Sequence, residues 1–339
     1  MDPRLTYDAI KLVLAGIGPL GLAFEIAIAA VGVLAAFIAL APPARPYRRR
    51  ALAVLAALLL AGELVLAWTH WQLYQLMVVV DPATGLTSGH VAAPLWIESE
   101  KLYIWALIVA VMGLLMRRQR DELLSGMLFC TAALAVGGVV LGKPFTDPLP
   151  GLIGQYAGYL GAMSTGGQAA DGAFQGMESA RQFYYNAWFM WIHPPLLFFS
   201  YGAFVVSFIA TLQMIRARHS AFETTAYRWA RLGYLSLTAG MLLGFPWALM
   251  SWQGESWWWS GKVNMSIMLW VLYTAYLHAR LYLRTRGMWK LVAAIAVLSF
   301  LILILTYIAT YVVPGAHSYA SAETTRALAA LASLLRGAA

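Results

Sequence analysis

Ser251 to Lys262 reads SWQGESWWWSGK, with Trp252, Trp257, Trp258 and Trp259 crowded between two long apolar runs. Those runs, Leu232–Met250 and Val263–His278, read as membrane-crossing helices, which makes the tryptophan segment a turn at a bilayer boundary. A histidine lies on either side, His193 in WIHPP upstream and His317 in PGAHSYA downstream. Indoles offer flat apolar faces and imidazoles offer iron ligands, a set that suits a large planar metallated ring better than a small polar substrate. Tryptophan is also enriched wherever a chain leaves a bilayer, and any one of these residues alone reads as part of an interfacial belt. Three in succession between two histidines read as a haem platform.

Composition settles the solvent. Hydrophobic residues make up 61% of 339 and charged residues 11%, and the mean hydropathy is +0.69, which excludes a soluble globular chain. The net charge of +8 does not point to nucleic acid, because the arginines sit in short clusters between apolar spans, where they orient a chain in the bilayer. The single cysteine, Cys130, lies inside an apolar run, so any thiol chemistry belongs to a partner. The first apolar run is too long for a cleavable signal and leads into an arginine cluster, so it is expected to stay as a span.

Outward from the tryptophan segment, the pattern predicts an all-α, polytopic transmembrane bundle of about eight spans. Residues 1–17 read as an interfacial lead-in, and Pro19–Ala41 is long enough to cross roughly 30 Å of hydrocarbon. Further spans are expected over Ala51–Val80, Leu102–Met116, Leu123–Leu141, Phe183–Ile215, Leu232–Met250, Val263–His278 and Leu291–Val313. Lys143–Gln182, with eight glycines, reads as a long functional loop. Pro194 and Pro195 are expected to kink the fifth span just after His193. Four loops hold 15 of the 23 lysines and arginines and fall on one face of this arrangement, which the positive-inside rule makes cytoplasmic. Both termini, the glycine-rich and tryptophan segments and PGAHSYA then face out. Residues 1–320 read as one integral-membrane domain. In 321–339, Leu328, Leu331 and Leu335 recur at helical spacing before Gly337, as in an interfacial helix lying on the outer surface.

Depth sorts the histidines. His193 precedes Arg216 by 23 residues, about 34 Å of helix at about 1.5 Å per residue, and so lies at the outer boundary. His317, just past Pro314, lies at the same level, and the two are candidates to ligate one iron above the tryptophan turn. His278, two residues from Arg280, sits near the inner face, and an ionisable group within a span is a functional candidate. His70 lies roughly 27 Å of helix rise from that level, too far to share an iron with His278. His219 reads as a solvated loop residue, and the partner of His278 falls to a second chain. His90, in DPATGLTSGH, reads as structural. Glu98 and Lys101 have the spacing of an ion pair at the edge of the third span. Glu25 and Glu63 sit inside spans and require partners.

WIHPPLLFFSYGAF, Trp191 to Phe204, resembles the segment carrying the first outer histidine in the cytochrome c assembly proteins CcmF, CcmC and CcsA, and PGAHSYA resembles the segment carrying the second. WWWSGKVNMSIMLWVLYTAYLHAR, Trp257 to Arg280, is similar to the family's Trp-rich signature and the span after it. Lys143-Pro144-Phe145 and Glu100–Leu107 are weaker echoes of CcmF. The resemblance implies that His193 and His317 ligate a haem b at the outer face, lined by Trp257 and Trp259, and that His278 ligates a second, embedded haem. The pattern departs in two places. Ser260-Gly261 stands where the family has Asp-Pro, and a following glutamate is absent. The chain matches the length of the first half of a CcmF protein.

The resulting expectation is a haem-handling subunit of cytochrome c maturation in the prokaryotic cytoplasmic membrane, a component of a holocytochrome c synthase. Its expected partners are apocytochrome c, other maturation subunits and a chain supplying the missing half. Two readings stand against it: a quinol-linked anchor resembling a diheme cytochrome b, and a structural subunit that has lost haem.

Overall fold

The computed structural model describes residues 3–116, 121–251, 257–282 and 287–312, with residues 259 and 309–312 described by their backbone alone. Ten α-helices and one two-stranded sheet form among these residues. They pack as two units, Met1–Gly202 and Ala203–Ala339. His317, Trp252 and the tail 321–339 lie outside the described residues.

In the first unit, α1 (Pro3–Leu40), α2 (Arg48–Leu76), α3 (Lys101–Leu115) and α4 (Asp121–Gly137) close on a core that includes Ile28, Leu55, Leu59, Ala106 and Leu128. The expected lead-in over residues 1–17 is not separate. From Pro3 onward it belongs to one 38-residue helix that runs through Pro19. In an apolar surround a single proline forfeits one backbone bond, whereas ending the helix there would orphan several. Arg48 explains how the next two helices start. It is 5% exposed, donates to the carbonyls of Ile38 and Ala41 and pairs with Asp121, so the end of α1 and the starts of α2 and α4 meet at one guanidinium.

Glu25 has a partner of a kind its sequence position does not reveal. Its carboxylate accepts the backbone N–H groups of Phe145 and Thr146 at 3.2 and 3.0 Å and the Thr146 hydroxyl at 3.0 Å, so an acidic side chain within α1 caps the turn after α4. One turn earlier on α1, an added Cβ at Gly21 would lie 2.7 Å from the Phe145 carbonyl oxygen. The turn can reach Glu25 only because residue 21 has no side chain.

The expected glycine-rich loop is largely helical. Pro150 opens α5 (Pro150–Thr165), a break at Gly166 and Gly167 with φ of 72° and 63° follows, and α6 (Gly167–Ala180) continues to a π turn over Arg181–Tyr185. Eight glycines lower helix propensity enough to mask this in sequence. Glu98 does not act only as an ion-pair candidate; its carboxylate accepts Gly151 N–H at 2.7 Å and Leu152 N–H at 3.0 Å at the start of α5, while burial pushes its pKa up. The polar run after α2 forms a hairpin, β1 (Val78–Val80) antiparallel to β2 (Thr87–His90). The Tyr156 and Tyr159 hydroxyls of α5 each accept from and donate to the β1 backbone, at Val78 and Val80, covering an edge that would otherwise be open.

In the second unit, the later part of α7 (Trp188–Ala217) packs with α8 (Ser220–Ser251), α9 (Gly261–Leu281) and α10 (Trp289–Val312). Phe204 stacks on Tyr273 at 3.6 Å and Phe208 on Phe300 at 4.0 Å. Among the described residues six stretches, containing α1, α2, α4, α7, α8 and α10, are long and apolar enough to cross a membrane. The other two expected spans correspond to α3 and α9; the 15 residues of α3 rise only about 22 Å at about 1.5 Å per residue.

A methyl group at residue 21 must displace backbone, so Gly21→Ala is expected to destabilise the protein by about 1–3 kcal/mol. Gly16→Ala, which meets nothing within 4 Å, should be neutral or slightly stabilising through helix propensity. Thermal unfolding of the two variants in one detergent compares them directly.

Candidate functional site

His193 lies near the start of α7, half-buried, six residues into the helix. Pro194 and Pro195 follow it, and the helix continues through both rather than ending there. Pro194 has no N–H for the carbonyl of Met190, four residues earlier. The Trp96 indole fills that place, donating to Met190 O at 2.7 Å, with its ring edge-on to Trp191 at 5.6 Å. Just upstream, the Asn186 side chain accepts from Ala92 N–H and donates to the His90 carbonyl, both at 2.9 Å. The segment that carries His193 is thus fixed to the hairpin exit at two points.

In the second unit, Trp257 and Trp258 occupy a short 3-10 turn before α9. Their rings stack at 3.9 Å, Phe245 of α8 lies 5.5 Å from Trp258, and Trp257 is buried while Trp258 is 47% exposed. One indole therefore anchors the turn and its neighbour presents an open face. The Trp259 backbone belongs to the same turn. Ser260 caps α9: its hydroxyl accepts Val263 N–H at 3.4 Å and its own N–H reaches Trp257 O at 3.1 Å.

His278, on the last turn of α9, is exposed, and its Nδ1 lies 2.8 Å from the carbonyl oxygen of Thr274. A carbonyl only accepts, so Nδ1 carries a proton, and in the neutral ring the lone pair is then on Nε2. Thr274 is itself held, donating to Trp270 O at 2.8 Å and lying 3.0 Å from the Tyr234 hydroxyl. Two residues on, Arg280 donates to Glu223 at 2.7 Å and covers the Tyr227 ring at 4.0 Å, locking the end of α9 to α8. His219 lies between α7 and α8, and its Nδ1 accepts Ala221 N–H at 3.1 Å.

One constellation escaped the sequence. His70, set aside there because of its depth, contacts Glu100 at 2.6 Å through Nε2, and Glu100 is fully buried. Glu63 and His70 lie seven residues apart on α2, hence on one face. That spacing, with a third ionisable residue at the edge of the next span, is the signal available in the sequence.

The apolar, polytopic helical architecture defines an integral membrane protein. Residues 95–317 match the family model described as Cytochrome C assembly protein, and the chain belongs to that family. The matched stretch takes in His193, Trp257–Trp259 and His278 and ends at His317. The chain is 33% identical over 134 residues to the "Probable cytochrome c-type biogenesis protein NrfE" of Escherichia coli (strain K12), covering 38% of this chain and 24% of that protein. It is 39% identical over 101 residues to the "Cytochrome c biogenesis protein CcsA" of Prochlorococcus marinus (strain NATL1A), covering 29% and 30%. The solved structure of "Cytochrome c Heme Lyase CcmF" superposes with a TM-score of 0.57 at 20% identity over 94% of this chain and 49% of that one, a likeness of fold. The chain thus spans about half the length of that neighbour.

Replacing Trp96 by Phe keeps an aromatic ring but strands the Met190 carbonyl that Pro194 already leaves open. The expected cost is about 1–3 kcal/mol. Hydrogen exchange should show lost protection at Met190 to Ile192, with α9 unchanged.

Proposed function

We propose that this chain handles haem during cytochrome c maturation, holding it at the outer face of the prokaryotic cytoplasmic membrane for attachment to apocytochrome c. The observation that carries the outer-face reading is the stacked pair of Trp257, buried, and Trp258, open to one side, and the held Nδ1 of His278 supports a second haem. Histidines that ligate a metal donate their other N–H to a carbonyl or carboxylate, which fixes the tautomer and aims the free nitrogen. The Nδ1 contact to Thr274 gives His278 that arrangement.

The donor set fits haem. An imidazole with a free Nε2 is an axial ligand, and the stacked indoles of Trp257 and Trp258 offer apolar surface for a macrocycle. In this proposal His193 and His317 are the axial pair of an outer haem b, Trp252, Trp257, Trp258 and Trp259 line it, and His278 ligates a second haem within the membrane. Bound there, haem supplies the vinyl carbons to which the CxxCH thiols of the apoprotein add. The chain itself grips the ring, fixes the iron and leaves one edge open. Fixing the start of α7 sets the direction of His193, and the capped tryptophan turn sets the indole faces. Other maturation subunits are proposed partners, including a chain that supplies the second embedded ligand.

His193→Ala and His317→Ala are expected to weaken haem retention by about tenfold or more, the equivalent of about 1.4 kcal/mol. Added imidazole should partly restore the spectrum by filling the vacant axial position. Trp257→Ala should lower haem content with no such rescue, since the loss is apolar contact. His278→Ala should leave the outer haem in place and remove an embedded one. Unchanged spectra and unchanged cytochrome c yield in both outer-histidine variants would overturn the outer site, and reduction by quinol would favour an electron-transfer anchor instead.

A further inference from the structure

His70 is 8% exposed and Glu100 fully buried. The imidazole has an acceptor at each nitrogen: the Ala93 carbonyl lies 2.9 Å from Nδ1, and Glu100 Oε1 lies 2.6 Å from Nε2. A neutral imidazole carries one N–H and a carboxylate carries no proton, so these two contacts need two protons between them. The pair is either an imidazolium facing a carboxylate, or a neutral ring that donates from Nδ1 and accepts at Nε2 from a Glu100 acid. With one proton fewer, two lone pairs would face each other at one contact. The second proton is therefore a bound ligand of this site.

An onward acceptor is present. Oε2 of Glu100 and Oε2 of Glu63 are buried with no hydrogen-bond partner among the described residues. Leaving such atoms unpaired is costly, and the cost falls when a proton or a donor reaches them. Glu63 lies two turns before His70 on the same face of α2, about 10 Å along the axis. It senses the charges of both Glu100 and His70. The other titratable groups around the site are spoken for. Tyr103 of α3 donates to the Leu59 carbonyl, Glu98 caps α5 beside the charge of Lys101, and Glu25 of α1 is bonded to residues 145 and 146.

We propose that His70, Glu100 and Glu63 form a proton-transfer site inside the first helical unit, loaded at the end that carries the 78–90 hairpin and emptied toward the middle of α2. In the transfer step one proton leaves the His70–Glu100 pair, whose charge falls by one, and adds to the Glu63 carboxylate, which becomes an acid; no electron moves. Because Ala93 belongs to the segment after the hairpin, unloading the pair also loosens a link between that segment and α2. The proposal is independent of the haem reading, since none of its residues is a candidate iron ligand.

Infrared difference spectroscopy of the full chain in lipid nanodiscs, stepped between about pH 9 and about pH 5, a window that includes the ordinary histidine range, tests it. A protonated-carboxyl band is expected to grow as the pH falls, to lose its Glu63 component in Glu63→Gln, to have that component change frequency in the milder Glu63→Asp, and to shift its midpoint in His70→Gln. A native spectrum without any such band in this window overturns the proposal whether or not the variants fold. So does a band whose amplitude is unchanged in Glu63→Gln and whose frequency is unchanged in Glu63→Asp.

Discussion

Hydrocarbon offers no water to a stranded polar group, so a polar group within the bundle is costly unless the chain itself answers it. This constraint explains most of the specific contacts. Glu25 is answered by two backbone N–H groups and a hydroxyl, the Met190 carbonyl by the Trp96 indole, His278 Nδ1 by the Thr274 carbonyl, and Arg280 by Glu223. In each case one polar contact fixes a helix end or a helix pair that apolar packing alone would leave free to slide or rotate.

The same contacts position the candidate functional residues. Prolines directly after His193 leave carbonyls open at the start of α7, and closing one with an indole turns a weak point into an anchor. At the other candidate segment a serine cap keeps the tryptophan turn short enough for Trp257 and Trp258 to stack. Near the end of α9, the Arg280–Glu223 pair holds the turn from which His278 projects. The candidate ligands His193 and His278 thus sit on helices whose ends are fixed, as a preorganised site requires.

Apolar runs and arginine clusters made the membrane helices legible in the sequence, because span length and hydropathy survive without tertiary context. The WIHPP and WWW segments exposed the haem candidates in the same way, through residue types that have few other uses side by side. Helices α5 and α6 were hidden because glycine content argues for a loop while packing decides otherwise. The hairpin was hidden because DPATGLTSGH has little β propensity, and its edge is held by tyrosines some 80 residues away. The His70–Glu100 contact bridges 30 residues and two helices, so depth counted along one helix could exclude an iron partner for His70 but could not find its carboxylate.

The family assignment and the Nδ1 contact of His278 are what the proposal of haem handling rests on. The most direct measurement is the absorption spectrum of the purified native chain, before and after titration with haem, with haem quantified as its pyridine complex. The account predicts a Soret band that saturates at one or two haems per chain. A chain that stays colourless through the titration would contradict it.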